Sequence, residues 1–435
     1  MNLDRDVNKL SSAFNRLGIS KKYSTGILWN IASFGIIAIS GLLLNFAVAF
    51  YYDVAILGVF NQVYALYIFL SQLAVGGVHL SVLKVIAHAQ HDTRRVVELF
   101  SSGFLITLFT SLFISIATFL LRDFFGKALD SEGVSIGIVC VAPGLLFFSL
   151  NKVILALLNG LSRMKAYAVF QALRFIFMLL FLIILVNLDV SGDRIPAIFS
   201  LAEFLLFIFL FVSCYKYIDV YKFISCKNDL YTHAVFGLKA AGGNLLLDIN
   251  TRIDVIVLGL FASDRMVGIY SFAALVVEGF SQLPVVLRAN VNPLITQNFY
   301  YQSRETFVKL LRRIRNLSYA VLIPIGVALT LAYPVIFMVN PDPDIAASWM
   351  PLAILMLGTL LGIGYMPLLM IFNQIGRPES QTILIALIFF TNLILNLILV
   401  PPFGILGSAV GTGLTFAIQI LYIRGFSFKT IGIRV

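Results

Sequence analysis

Uncharged apolar stretches of about twenty residues recur from Ile27 almost to the C-terminus. A stretch of that length crosses the roughly 30 Å hydrocarbon core of a bilayer as a helix, where no water is present to satisfy an open backbone. Each stretch must close its own hydrogen bonds, so the chain is expected to be an all-α integral membrane protein. Composition agrees: 60% of residues are apolar, 12% are charged, and mean hydropathy is +0.96. Twelve stretches are counted, at approximately 27–50, 58–83, 100–121, 134–158, 168–186, 195–214, 240–261, 267–287, 317–339, 350–372, 382–400 and 404–423.

The net charge of +10 is distributed unevenly. The N-terminus, the loops after even-numbered spans and the C-terminus hold 24 of the 31 Lys and Arg. The opposite loops hold four (Arg122, Lys127, Arg194, Arg265), and three lie inside spans (Lys152, Arg174, Arg252). This positive-inside bias puts both termini in the cytoplasm. Arg304, Lys309, Arg312, Arg313 and Arg315 then meet anionic membrane lipids, and nucleic acid is not an expected partner. Residues 1–26 are polar and lack the short apolar core of a secretory signal, which makes them a cytoplasmic N-terminal segment.

Several chemistries find no support. Cys140, Cys214 and Cys226 show no paired spacing, and His79, His88, His91 and His233 lack metal-motif spacing. No Gly-x4-Gly-Lys-Ser/Thr phosphate loop occurs, and the longest non-cytoplasmic loop covers only Arg122 to Gly133. The chain is not expected to be an enzyme or to need a bound cofactor.

The sequence repeats itself. Leu57-Gly58-Val59-Phe60 matches Val267-Gly268-Ile269-Tyr270, and at the same offset of 210 Ser71-Gln72-Leu73 matches Ser281-Gln282-Leu283. Asn159 and Arg163 match Asn373 and Arg377 at an offset of 214, followed by residues 182–186 against 396–400. Two six-helix bundles, 27–214 and 234–423, are expected, joined by a cytoplasmic linker at 215–233 and followed by a cytoplasmic tail at 424–435. An even number of spans returns the chain to its starting side. The bundles are then related by a pseudo-two-fold axis along the membrane normal around a central cavity, the parallel-repeat plan of alternating-access transporters. Gly404, Gly407, Gly411 and Gly413 give the last span a small-residue face for close packing.

Seven charged residues interrupt the spans: Lys152, Arg174, Glu203, Asp248, Arg252, Asp254 and Glu278. Such residues persist in a membrane when they face a wet cavity, a partner or a substrate. Lys152 and Arg174 lie on consecutive antiparallel spans at one depth, with no acid assigned beside them. They either clamp an anion such as pyrophosphate or snorkel to the headgroups. On span seven, Asn244, Asp248 and Arg252 form one stripe, while Asn250 and Asp254 point away from it. Asp248 and Arg252 have the spacing of an i,i+4 pair, and the stripe either lines the cavity or docks the helix. Glu203, Glu278 and Asp254 are candidates for proton or sodium coupling, with Glu203 and Glu278 equally placed to partner Arg174 or Arg252. Gln72 and Gln282 are expected to form interhelical hydrogen bonds.

Residues 254–261 (DVIVLGLF), followed by Val267-Gly268-Ile269-Tyr270-Ser271, their first-half counterpart at 57–60, and Asn373-Gln374-Ile375-Gly376-Arg377 carry a family resemblance. They resemble the polysaccharide flippases of the multidrug/oligosaccharidyl-lipid/polysaccharide exporter superfamily, and within it the O-antigen and exopolysaccharide repeat-unit flippases. The resemblance covers nearly the whole chain in layout. It implies movement of an undecaprenyl-pyrophosphate-linked oligosaccharide from the cytoplasmic to the periplasmic leaflet of a bacterial inner membrane, for surface polysaccharide biosynthesis. A polysaccharide polymerase and a chain-length regulator are implied partners. A cation-coupled multidrug antiporter of the same superfamily is the competing function, and the buried acids keep it open.

Overall fold

The structure is a computed structural model that describes residues 21–217, 227–335 and 343–433, with side chains at 21–34, 38, 227–228, 238–241 and 244 outside the description. Most of the N-terminal segment 1–26, the centre of the linker 215–233, the end of the ninth stretch and the last two residues of the tail lie outside the described residues. No strand occurs among those described. Nine of their helices are long and apolar enough to cross a membrane.

The helices are α1 (Lys21–Tyr51), α2 (Val54–Val75), α3 (Val78–Ala89), α4 (Thr93–Leu120), α5 (Arg122–Ala128), α6 (Glu132–Gly160), α7 (Met164–Asn187) and α8 (Ala197–Cys214) in the first half. The second half holds α9 (Lys227–Asn250), α10 (Ile253–Phe261), α11 (Asp264–Tyr301), α12 (Arg304–Ala332), α13 (Pro343–Ala347), α14 (Trp349–Gly362), α15 (Ile371–Gln374) and α16 (Pro378–Ile431). The second apolar stretch runs through α2 into α3, and the seventh is split between α9 and α10. The eleventh and twelfth share α16, which reverses at Gly404 behind Pro401 and Pro402. Gly404 has φ +55°, a conformation that costs a residue with a Cβ considerably more. The returning arm packs close: a Cβ on Gly407 would fall 2.0 Å from the Leu399 carbonyl oxygen, and one on Gly358 of α14 would fall 2.3 Å from the Gly413 Cα. The small-residue face expected of the last span is used for this contact.

The two halves meet most closely along α2 and α11, and here the repeat becomes geometry. A Cβ on Gly58 would lie 1.8 Å from the Asp264 carbonyl oxygen, and one on Gly268 would lie 1.8 Å from the Val54 carbonyl oxygen. The offset of 210 that carries Gly58 to Gly268 also carries Val54 to Asp264, so the two contacts exchange under the repeat. Asp264 reinforces this crossing from its side chain, accepting from Gln62 Nε2 at 2.7 Å and from Ser131 Oγ at 2.7 Å. This end of the crossing carries the loops after odd-numbered spans. At the opposite end α9 docks on the first half. Arg95 donates to both Asp229 oxygens at 2.6 and 2.7 Å, and the buried His233 ring bridges Ser81 Oγ and the Leu99 carbonyl at 2.9 Å each.

Candidate functional site

Between the halves lies a cavity of about 520 Å3, walled by α2, α9, α10, α11 and α16. A second cavity of about 160 Å3 is mostly apolar and reaches outward between α1, α7, α8 and α11, past Leu42, Leu44, Phe175, Met178, Phe199 and Leu275. Tyr64, Arg252, Glu278 and Gln282 line both.

The feature that shapes the larger cavity is a break in span seven. α9 stops at Asn250, the Thr251 hydroxyl turns back and donates to the Asp248 carbonyl at 2.7 Å, and α10 restarts at Ile253. Irregular backbone at membrane depth is tolerated where it lines a cavity. The break corrects two expectations. Asp248 and Arg252 are not an i,i+4 pair, because no helix continues between them; Arg252 Nη2 instead donates to Glu278 Oε2 at 2.7 Å and lies over the Tyr64 ring, 4.9 Å from guanidinium carbon to centroid. Asn250 and Asp254 do not point away from the stripe. Rotated by the break, they line the same cavity as Asp248 and Arg252. The side chain of Asn244 is outside the described residues.

Lys152 and Arg174 do share a depth, flanking the Phe148 ring at 5.6 and 4.7 Å. The absence of an acid beside them is overturned. Arg174 Nε lies 2.6 Å from Glu203 Oε1, a charge pair whose angle falls short of an aligned hydrogen bond. Asn151 Nδ2 holds the other Glu203 oxygen at 2.8 Å. A carboxylate within the bundle neutralises the guanidinium at a depth where an unpaired charge is costly. Neither Arg174 nor Glu203 is among the cavity-lining residues. Lys152 reaches the cavity indirectly, donating to Gln72 Oε1 at 2.8 Å. Gln72 thus makes the interhelical bond expected of it, but both it and Gln282 also face the cavity.

Asp254 is held differently from Glu203. Tyr270 OH donates to it at 2.5 Å, the Val255 amide at 2.9 Å, and Thr412 Oγ1 stands 3.5 Å away. Asn392, Asn396 and Ser408 continue this nest, with Asn396 Nδ2 donating to Asn392 Oδ1 at 2.8 Å and Ser408 Oγ to Asn396 Oδ1 at 2.9 Å. The donors are neutral, and Arg252 is engaged by Glu278.

Arg288 escaped the sequence reading. The apolar stretch ends at Leu287, which by hydropathy groups Arg288 with the loop cations, yet α11 runs on to Tyr301 and carries Arg288 into the cavity wall. Among the described residues it has no salt-bridge partner. The signal was available in spacing: Glu278, Ser281, Gln282, Val285 and Arg288 recur at intervals that keep one helix face, and all line the cavity. Asn392, Thr415 and Gln419 of α16 add neutral hydrogen-bonding groups to the wall.

Known proteins resemble this arrangement. The family described as "Polysaccharide biosynthesis protein" matches residues 24–299, which include the broken span, Arg252 and Arg288. A 177-residue stretch is 28% identical to "Probable flippase AglR" of Haloferax volcanii, covering 40% of this chain and 37% of that one, so the match spans under two-fifths of that relative. Among solved structures, "Lipid II flippase MurJ, inward closed conformation" superposes with a TM-score of 0.73 at 20% identity, over 93% of this chain and 88% of that one. A "multidrug resistance MATE family transporter of the MOP superfamily" superposes at 0.70 in its inward-facing conformation, with 14% identity over 94% of each chain. At these identities the likeness establishes a shared fold. With the family match spanning well over half of the sequence, the chain belongs to the polysaccharide biosynthesis protein family.

Proposed function

We propose that this protein is a flippase. It moves an undecaprenyl-pyrophosphate-linked oligosaccharide repeat unit from the cytoplasmic to the periplasmic leaflet of a bacterial inner membrane, by alternating access and without chemistry of its own. The observation that carries this reading is the cavity between the halves, which offers Arg288 with no carboxylate partner among the described residues. A planar guanidinium donates in a fork that matches a phosphate. Gln72, Asn250, Gln282, Asn392 and Gln419 offer the amide donors and acceptors that sugar hydroxyls need. The apolar second cavity gives the lipid chain a path towards the bilayer between α1 and α11. Lys152, Arg252, Asp248 and Asn244 belong to the proposed headgroup region, while Arg174 serves the bundle. Both termini are assigned to the cytoplasm, and a polymerase and chain-length regulator would receive the product.

Purified protein in liposomes should flip a fluorescent lipid-linked oligosaccharide, and deletion of the gene should strand repeat units on the cytoplasmic leaflet. Arg288→Ala should slow flipping about 10- to 100-fold at unchanged protein level, the worth of a charge-assisted hydrogen bond of about 1.5–3 kcal/mol. Unaltered flipping in that variant removes Arg288 from the site.

For ion coupling we assign Asp254 rather than Glu203 or Glu278, because both glutamates already neutralise an arginine whereas Asp254 meets neutral donors. Asp254→Asn is expected to leave folding intact and to abolish the dependence of flipping on a proton or sodium gradient. Gradient dependence that persists in Asp254→Asn refutes the assignment.

The antiporter reading draws on Asp248, Asp254 and Glu278 lining one cavity, a lining that suits a cation. It predicts that deletion leaves surface glycan unchanged and sensitises cells to cationic drugs.

A further inference from the structure

The Arg252–Glu278 pair stands where the two cavities meet. The guanidinium comes from the break in span seven, the carboxylate from α11, and the ring beneath the guanidinium from Tyr64 of the first half. Tyr64 is itself fixed by stacking on Phe199, with centroids 5.1 Å apart and planes 17° from parallel. These side chains form the partition between the headgroup cavity and the apolar one, since they line both. Among the described residues the pair is closed by one Nη2–Oε2 hydrogen bond of 2.7 Å, whereas a guanidinium facing a phosphate offers a two-bond fork. The partition is thus held by the weaker of two arrangements open to Arg252.

We propose that Glu278 is a displaceable stand-in for the substrate's anion: an incoming pyrophosphate takes Arg252 from it, and the withdrawal of the Glu278 arm joins the two cavities. The inference rests on the flippase reading and adds a device to it. A guanidinium at this depth needs an anion at every stage of the cycle. In the empty protein Glu278 supplies it. With substrate bound, the pyrophosphate does, and the opened partition lets the headgroup occupy the large cavity while its lipid chain runs into the apolar one. When Glu278 returns, it competes with the product for Arg252 and favours release. A ligand shifts such an equilibrium only by its differential affinity for the two arrangements, and exchange of one anion for another at a single guanidinium provides that difference.

The test measures binding of farnesyl pyrophosphate to the purified full chain in lipid nanodiscs, with farnesol as the control lacking the anion. Glu278→Gln, which removes the competitor, should bind farnesyl pyrophosphate about tenfold more tightly than wild type. Arg252→Gln should bind it about tenfold less tightly, and adding Glu278→Gln to Arg252→Gln should restore nothing. Should Glu278→Gln prove unstable because it strands a buried guanidinium, the probe should raise its Tm by more than it raises that of wild type. Binding to wild type that Glu278→Gln leaves unchanged or weakens, or a Tm rise no larger than wild type's, overturns the stand-in role and leaves the flippase reading in place. Failure of every variant to prefer farnesyl pyrophosphate over farnesol overturns both the stand-in role and the pyrophosphate reading.

Discussion

Gly58→Leu and Gly268→Leu are each expected to prise α2 from α11 at the end of the molecule that carries Ser131 and Asp264, and to lower its stability sharply. A side chain at either position meets a backbone carbonyl rather than a flexible neighbour, since the first added carbon would already fall 1.8 Å from it. Overpacking of a well-packed interior costs about 1–3 kcal/mol, and a contact that only backbone movement relieves belongs at the upper end or beyond. The movement that relieves it is separation of the halves, which also strains the Gln62 and Ser131 hydrogen bonds to Asp264. Two measurements follow, both in a background where the native cysteines are replaced. Thermal unfolding in detergent should shift down, and Ser131→Cys, buried in the parent at 5% exposure, should become open to a membrane-impermeant maleimide. A leucine variant with wild-type stability and a protected Ser131→Cys contradicts the role given to this crossing. Because the two contacts exchange under the repeat, the two variants should behave alike.

Arg174→Met is expected to be nearly as damaging, for a different reason. Its guanidinium and the Glu203 carboxylate are 15% and 0% exposed, and removing one partner leaves the other charge uncompensated. Breaking a buried pair this way costs about 3–5 kcal/mol, whereas replacing both members with apolar side chains is often neutral. Arg174→Met should therefore lower Tm and protein yield, while Arg174→Met with Glu203→Leu should recover most of both and flip substrate at a near-normal rate per folded molecule. A stable Arg174→Met that no longer flips would return Arg174 to the substrate site, as the anion-clamp reading of the sequence expected.

That reversal shows how far the sequence reached. Membrane insertion, helical class and the two-half plan were legible because they follow from segment length, charge placement and a repeat offset that needs no side-chain geometry. The charged residues were found for the same reason, being conspicuous against an apolar background. Their partners were not legible. Arg174 meets Glu203 across helices α7 and α8, and Arg252 meets Glu278 across a helix break, so neither pairing has a fixed spacing in the chain. Helical periodicity misassigned Asn250 and Asp254 because it presumes a continuous helix, and Thr251 and Arg252 end one. Arg288 was not legible because the apolar stretch ends at Leu287, although the helix continues through it to Tyr301.

By itself the sequence determined the membrane setting of this protein and its helical class, since these depend on segment length and local transfer energies. Only the tertiary structure decided which charges neutralise one another and which face the cavity. In a medium that penalises every unpaired charge, that choice depends on which helices come within a few ångströms, and packing alone sets that distance.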